Sequence, residues 1–118
     1  MRVDESEIDW QDSGDRAYRQ GKPYTGEVVE KKRDGRITSV TSYLDGVEHG
    51  QGQSWHANGR LSAEWHVDHG KPVGLYRTWY ADGTPAEERH FSDDGKLLLH
   101  RKWDEQGVVV KDKSYGRA

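Results

Sequence analysis

WHANGRL, residues 55–61, sets an Asn-Gly pair between a Trp and a Leu, the spelling of a tight turn joining two strands. WYADGTP (79–85) follows 24 residues later, and WDEQGVV (103–109) another 24 on. The turn glycines, Gly35, Gly59, Gly83 and Gly107, keep that step through the chain. With 14 Gly in 118 residues, three such coincidences would arise by chance roughly once in 600, so the period is a real repeat. Other columns agree: Trp55, Trp79 and Trp103; Tyr43, Val67, Phe91 and Tyr115; Gly26, Gly50 and Gly74. Lys31 interrupts the Trp column in the first copy, and Leu98 the last of the Gly columns.

Within a unit the period is that of a strand. RLSAEWHV sets Leu61, Ala63, Trp65 and Val67 at every second position, and glycines recur too often for a helix. Each unit therefore reads as a β-hairpin. Directly paired antiparallel residues point the same way, so Trp55 and Leu61 share a side only if the loop holds three residues, Ala57-Asn58-Gly59. That loop is a type I turn with a bulge, whose third residue needs positive φ and so favours Gly. Links such as DHGKPVG (68–74) join the hairpins into a meander.

The predicted fold is all-β: an elongated antiparallel β-meander of stacked 24-residue hairpins in a single-layer sheet. Residues 1–20 form an acidic segment with a partial capping repeat (WQDSGDRAYRQG, 10–21). Four repeats follow at about 21–45, 46–69, 70–94 and 95–115, then a tail at 116–118. Two strands per unit predict a ribbon of roughly 40 Å. Composition fits a thin fold, with 31% hydrophobic and 33% charged residues but five Trp and six Tyr, more aromatics than a disordered chain carries.

Several classes are disfavoured. A net charge of −3 supplies no general attraction to nucleic acid or to an anionic membrane. Without cysteine there is neither a disulfide framework nor a thiolate metal site. The acidic start MRVDESEIDW does not read as a secretory signal, and no run reaches the ~18 apolar residues of a membrane helix, so a cytoplasmic protein is expected. GQGQSW (50–55) holds a Gly-x-Gly but no βαβ unit to offer phosphate a helix N-terminus, and Ser54 lacks a nucleophile-elbow context. Neither catalytic residues nor a cofactor are expected. His66, with Asp68 and His69 nearby, has the residue types of a metal site. Its repeat partner His90 would lie ~9.5 Å away. Zinc ligands sit ~2.1 Å from the ion, so the pair cannot share one, and no metal site is expected.

Counting alternate residues assigns Trp55, Trp79 and Trp103 to an odd-numbered face, along with a cationic band of Arg77, Arg89, Arg101, Lys111 and Lys113 opposed by Glu87. The even face then carries Glu64, Glu88, Asp112, His66 and His90. A Trp column is in the first place the packing of a thin sheet, and a charged column a solvated face. Exposed aromatics rimmed by charge also mark protein interfaces.

The pattern G-x-x-x-G…W-x-x-(N/D)-G-(R/K)-L…(Y/V/F)-x-x-G, carried by Gly46, Gly50, Trp55, Asn58, Gly59, Leu61, Val67 and Gly70 and again by Gly70, Gly74, Trp79, Asp82, Gly83, Phe91 and Gly95, resembles the bacterial variant of the MORN repeat. Over about residues 21–115 the arrangement is similar to the YwqK-like antitoxins. The resemblance implies an immunity protein that binds and neutralises a cognate toxin, often one directed at nucleic acid or nucleotides. It supplies no catalytic residues. A basic, phosphate-handling toxin cleft would favour the acidic face and the acidic N-terminal segment. The expected partner-binding residues are therefore Glu64, His66, Tyr80, Glu88, His90 and Asp112, with Trp65 and Trp79 as aromatic anchors from the other face. The alternative is a MORN-repeat scaffold or membrane-associated interaction module with no toxin partner, working through the cationic band.

Overall fold

Gly35, Gly59, Gly83 and Gly107 adopt φ of +87°, +86°, +92° and +84° in the computed structural model of the chain, which describes residues 1–115. The tail expected at 116–118 lies outside the described residues. At each of these turns the glycine N–H donates to the residue three before it, as Gly59 does to His56 at 2.9 Å. His56 N–H in turn donates to the Arg60 carbonyl at 2.8 Å, and Trp55 pairs with Leu61. The predicted three-residue loop is thus present in all four copies.

The strands are β1 (Arg2–Asp4), β2 (Asp9–Gln11), β3 (Arg16–Arg19), β4 (Lys22–Pro23), β5 (Gly26–Lys31), β6 (Ile37–Leu44), β7 (Val47–Glu48), β8 (Gly50–Trp55), β9 (Leu61–Asp68), β10 (Lys71–Pro72), β11 (Gly74–Trp79), β12 (Pro85–Phe91), β13 (Leu97–Trp103) and β14 (Val109–Ser114). The main sheet runs β1-β5-β6-β8-β9-β11-β12-β13-β14, with β7 on β6 and β10 on β9. Every neighbour pair is antiparallel except β1–β5, where the N-terminal strand lies parallel along the first hairpin. The fold is the expected all-β meander, and its longest dimension is 47 Å.

The distal ends of the hairpins use a different turn. Asp45-Gly46 and His69-Gly70 both have two successive residues at positive φ (+49° and +86°, +47° and +87°), the two-residue type I′ turn. The last such link departs from this, because Ser92-Asp93-Asp94-Gly95 repeats the type I turn with a bulge seen at the Trp ends.

A single layer describes the C-terminal half only. At the N-terminal end β2-β3-β4 form a second, three-stranded sheet. Ala17 of that sheet, with Ile8 and Tyr24 flanking its strands, packs on Val3 and Val28 of the main sheet, with Tyr43 at the border. Tyr24 is buried and its hydroxyl donates to the Glu27 carbonyl at 2.8 Å. Backbone bonds Ala17 N to Gly46 O and Gly46 N to Tyr24 O lash the small sheet to the first type I′ turn. The segment 10–21 therefore does not continue the array in line; it folds over it and buries the apolar side chains that one layer leaves open.

Register decides which side chains share a face, and here the structure corrects the alternate-residue assignment. In each type I hairpin one residue is unpaired next to the turn: Ser54 pairs with Ala63 while Trp55 pairs with Leu61, so Ser62 is extra. Thr38, Ala86 and Val110 are its counterparts, and Leu98 is the equivalent at the distal end. This bulge at the type I turns, and the two-residue loop at the type I′ turns, make odd residues pair with even ones, so parity reverses from each strand to the next. Neither face is odd or even throughout.

Candidate functional site

Following the pairs across the sheet yields one unbroken row on one face: Asp4, Val29, Val40, Gln53, Glu64, Arg77, Glu88, Arg101, Asp112. The acids expected there are present, but Arg77 and Arg101 stand between them rather than on the opposite side. Glu88 is the hub. Arg77 Nε approaches it at 3.5 Å and Arg101 Nη1 at 3.8 Å, while His90 Nε2 is 2.9 Å from its Oε1. Arg101 also reaches Asp112 at 3.4 Å. Opposite charges directly across strands are the favourable arrangement, so the row is an alternating ladder and not an acidic patch.

Beside the ladder, at the turn end of the same face, runs a second row: Trp55, Leu61, Trp79, Pro85, Trp103, Val109. All three indoles are half-buried. Shallow hollows flank them. One of about 460 Å³ is lined by Arg2, Arg36, Ile37, Val40, Gln53 and Trp55 among others. A smaller one, about 270 Å³, lies between Trp79 and Trp103, over Pro85 and Glu88.

Glu64, His66, Glu88, His90 and Asp112 thus share a face, as expected, and Trp79 joins them there instead of facing away. Trp65 is on the opposite side. Its indole lies flat over Gly52, where a Cβ would fall 2.1 Å from Cε2, and its Nε1 donates to Glu48 at 3.0 Å. Gly52 is therefore the seat of an indole, which accounts for the second glycine of the Gly-x-Gly at 50–52. Tyr80 belongs to the turn, and its hydroxyl donates to the Trp103 carbonyl at 2.7 Å. His56 makes the matching bond to Trp79, and Asn58 Nδ2 donates to Ala81 O, each at 2.7 Å. Arg60 does the same to Asp82. These side chains strap each Trp-end turn to the next.

The opposite face carries Tyr76, Arg89, His100 and Lys113 in one row and Thr78, Glu87, Lys102 and Lys111 in the next. The expected cationic band is split: Arg77 and Arg101 are in the ladder, whereas Arg89, Lys111 and Lys113 lie here. Glu87 accepts from His100 Nε2 at 2.6 Å and from Arg89 Nε at 2.9 Å. Burial works to raise the Glu87 carboxyl, but the His100 hydrogen bond and the Arg89 charge outweigh it and hold it below its ordinary range. Lys102, Lys111 and Lys113 remain exposed, leaving that face basic toward the C-terminal hairpins.

Acidic charge collects at the N-terminal corner. On the side opposite the indoles, Asp12, Asp15 and Glu48 line a hollow of about 490 Å³ together with Tyr43 and with Arg16, which pairs with Asp12 at 3.2 Å. The Tyr43 hydroxyl is pushed up to about 12 by burial and by the Glu48 and Glu30 charges. At the distal ends of β8 and β9, the donor atoms of His49, Asp68 and His69 lie within 4.8 Å of one another; His66 is outside that group. His49 was not singled out in the sequence. The signal that marks it is the pair VEHG (47–50) and VDHG (67–70), which the 24-residue period does not relate.

Comparison with protein-family models and with curated proteins gives no match. Among solved structures, a chain of the GtfA/B complex bound to UDP and GlcNAc aligns over 70% of this chain and 21% of its own length. At 9% identity and a TM-score of 0.37, that likeness carries no argument.

Proposed function

We propose that this chain is an immunity protein that binds and blocks a cognate bacterial toxin through the tryptophan face of its sheet. The observation that carries the reading is the juxtaposition of two rows on one face. Three half-buried indoles alternate with Leu61, Pro85 and Val109, and beside them runs a ladder of Glu64, Arg77, Glu88, Arg101 and Asp112. Binding energy in protein interfaces concentrates in Trp, Tyr and Arg, and a rim of fixed charges selects the partner and its register. The toxin as partner rests on the likeness of the 24-residue unit to YwqK-like antitoxins. On that face Glu64, Glu88 and Asp112 are the carboxylates that can pair with the basic side chains of a cleft that handles nucleic acid or nucleotides. In this reading the face covers the toxin's substrate cleft and no chemistry is required of the chain.

Co-expression with the toxic product of the adjacent reading frame tests it. The intact chain should restore growth, and Trp79→Ala with Arg77→Glu should abolish protection while the purified variant stays folded. A hot-spot Trp is worth about 2 kcal/mol or more, so affinity should fall at least about 30-fold. Lys111→Glu with Lys113→Glu, on the other face, should leave protection intact. If no adjacent toxin is neutralised, or if the two double variants behave oppositely, the reading fails.

A second reading, a scaffold or membrane-associated module, is favoured by the basic opposite face with Arg89, Lys102, Lys111 and Lys113. It expects co-sedimentation with anionic liposomes that the lysine reversals remove.

A further inference from the structure

We propose that His49, Asp68 and His69 form a binding site for a divalent transition-metal ion of the zinc class, at the end of the hairpins remote from the Trp turns. The proposal is independent of the immunity reading.

Three features of the fold bring these residues together. The β8–β9 register, with Gly50 opposite Val67, continues to place His49 across from Asp68 on the tryptophan face. The Gly70 N–H donates to Glu48 O at 2.8 Å and closes the two chains at that point. His69 occupies the first central position of a type I′ turn at φ +47°, where Asn, Asp or Gly is usual. The turn folds its imidazole back toward the other two residues. The His49 and His69 rings stand with centroids 4.5 Å apart, inclined at 55°.

The donor geometry is close to a metal's. Ligands on a tetrahedral zinc at ~2.1 Å are spaced by roughly 3.4 Å. His49 Nδ1 and Asp68 Oδ1 are 3.6 Å apart. His69 Nδ1 is 2.6 Å from the same Asp68 oxygen, a hydrogen-bonded contact holding one proton. An entering ion displaces that proton to solvent and takes its place between the two groups. His49 Nδ1 accepts the His69 backbone N–H at 3.1 Å. Ligation exchanges that bond for one to the metal. Two imidazoles and one carboxylate suit Zn²⁺ over Mg²⁺ or Ca²⁺, which prefer all-oxygen shells. The site is partly exposed, so solvent or a partner's side chain completes the coordination.

Titration calorimetry of the full chain, free of any histidine tag, with ZnCl₂ at pH 7.5 decides the matter. One equivalent should bind, and saturating zinc should raise the melting temperature, because an ion held only by the folded state stabilises it. His49→Ala and His69→Asn should each weaken binding at least tenfold. Asn tolerates the left-handed turn, so the second variant preserves the loop. His66→Ala and His90→Ala should bind as the unaltered chain does. Absence of a one-equivalent transition, or binding unchanged in both His49→Ala and His69→Asn, overturns the site.

Discussion

Residues 1–48 and 49–115 are built from the same hairpin but held together differently. Among the described residues, the buried apolar side chains are Val3, Ile8, Ala17, Tyr24, Val28, Val29 and Val40, all in the first region. In the second, the buried side chain is His100, a polar group tied to Glu87. The first hairpin is sandwiched by a second sheet; the last two rest on ladder bonds, cross-strand side-chain rows and turn straps. A repeat therefore need not be uniform in stability even when its turns are congruent. Where a second layer is present, cohesion comes from removing apolar area from water. Where it is absent, neighbour-to-neighbour contacts carry the array, as in other solenoids.

The largest expected effect tests the layered region. Tyr24→Ala removes a buried ring and its bond to Glu27, and large-to-small changes of this type cost about 3–5 kcal/mol. Denaturant unfolding should show that loss; a cost below about 1 kcal/mol would mean the small sheet contributes little. Gly52→Ala comes next, at the junction. Its methyl collides with the Trp65 indole. Overpacking of this kind costs about 1–3 kcal/mol, with a shifted Trp65 indole N–H resonance. An unshifted resonance would show that the seat is slack.

Glu87→Gln, in the single-layer region, should cost about 1 kcal/mol near neutral pH through the weakened His100 and Arg89 bonds, part of which is screened. Because the folded-state carboxyl titrates below its unfolded value of 4.5, its contribution is complete above that pH and is lost as pH falls through the folded value. Stability measured from pH 7 to pH 3 should therefore decline less steeply in Glu87→Gln than in the unaltered chain. Equal acid slopes would remove Glu87 from the account.

Much of this was legible from residue order. The turn type, the Trp55–Leu61 pairing and the meander follow from x-(Asn/Asp)-Gly and a two-residue period, both local. So does the grouping of Glu64 with Glu88, and of His66 with His90, because strands 24 residues apart keep parity. Trp79 was placed on the wrong face, and Arg77 and Arg101 with it, because strands of opposite direction differ by one bulge residue. Trp65, expected as an aromatic anchor, is the packing partner of Gly52, a pairing set by the β8–β9 register. Tyr80 and His56 vary between copies, yet both strap one hairpin to the next.

The amino-acid order alone sets what happens within about six residues: which glycine turns, which pair closes the loop, where a strand ends. Backbone stereochemistry and hydrogen-bond closure act at that range. Only the assembled sheet decides which side of it a residue occupies and what covers that side. One unpaired residue beside each type I turn inverts every later side chain, and the folding of residues 8–24 over the first hairpin depends on contacts far apart in the chain. The alternating ladder, the tryptophan row beside it and the meeting of His49 with Asp68 and His69 are products of that long-range register.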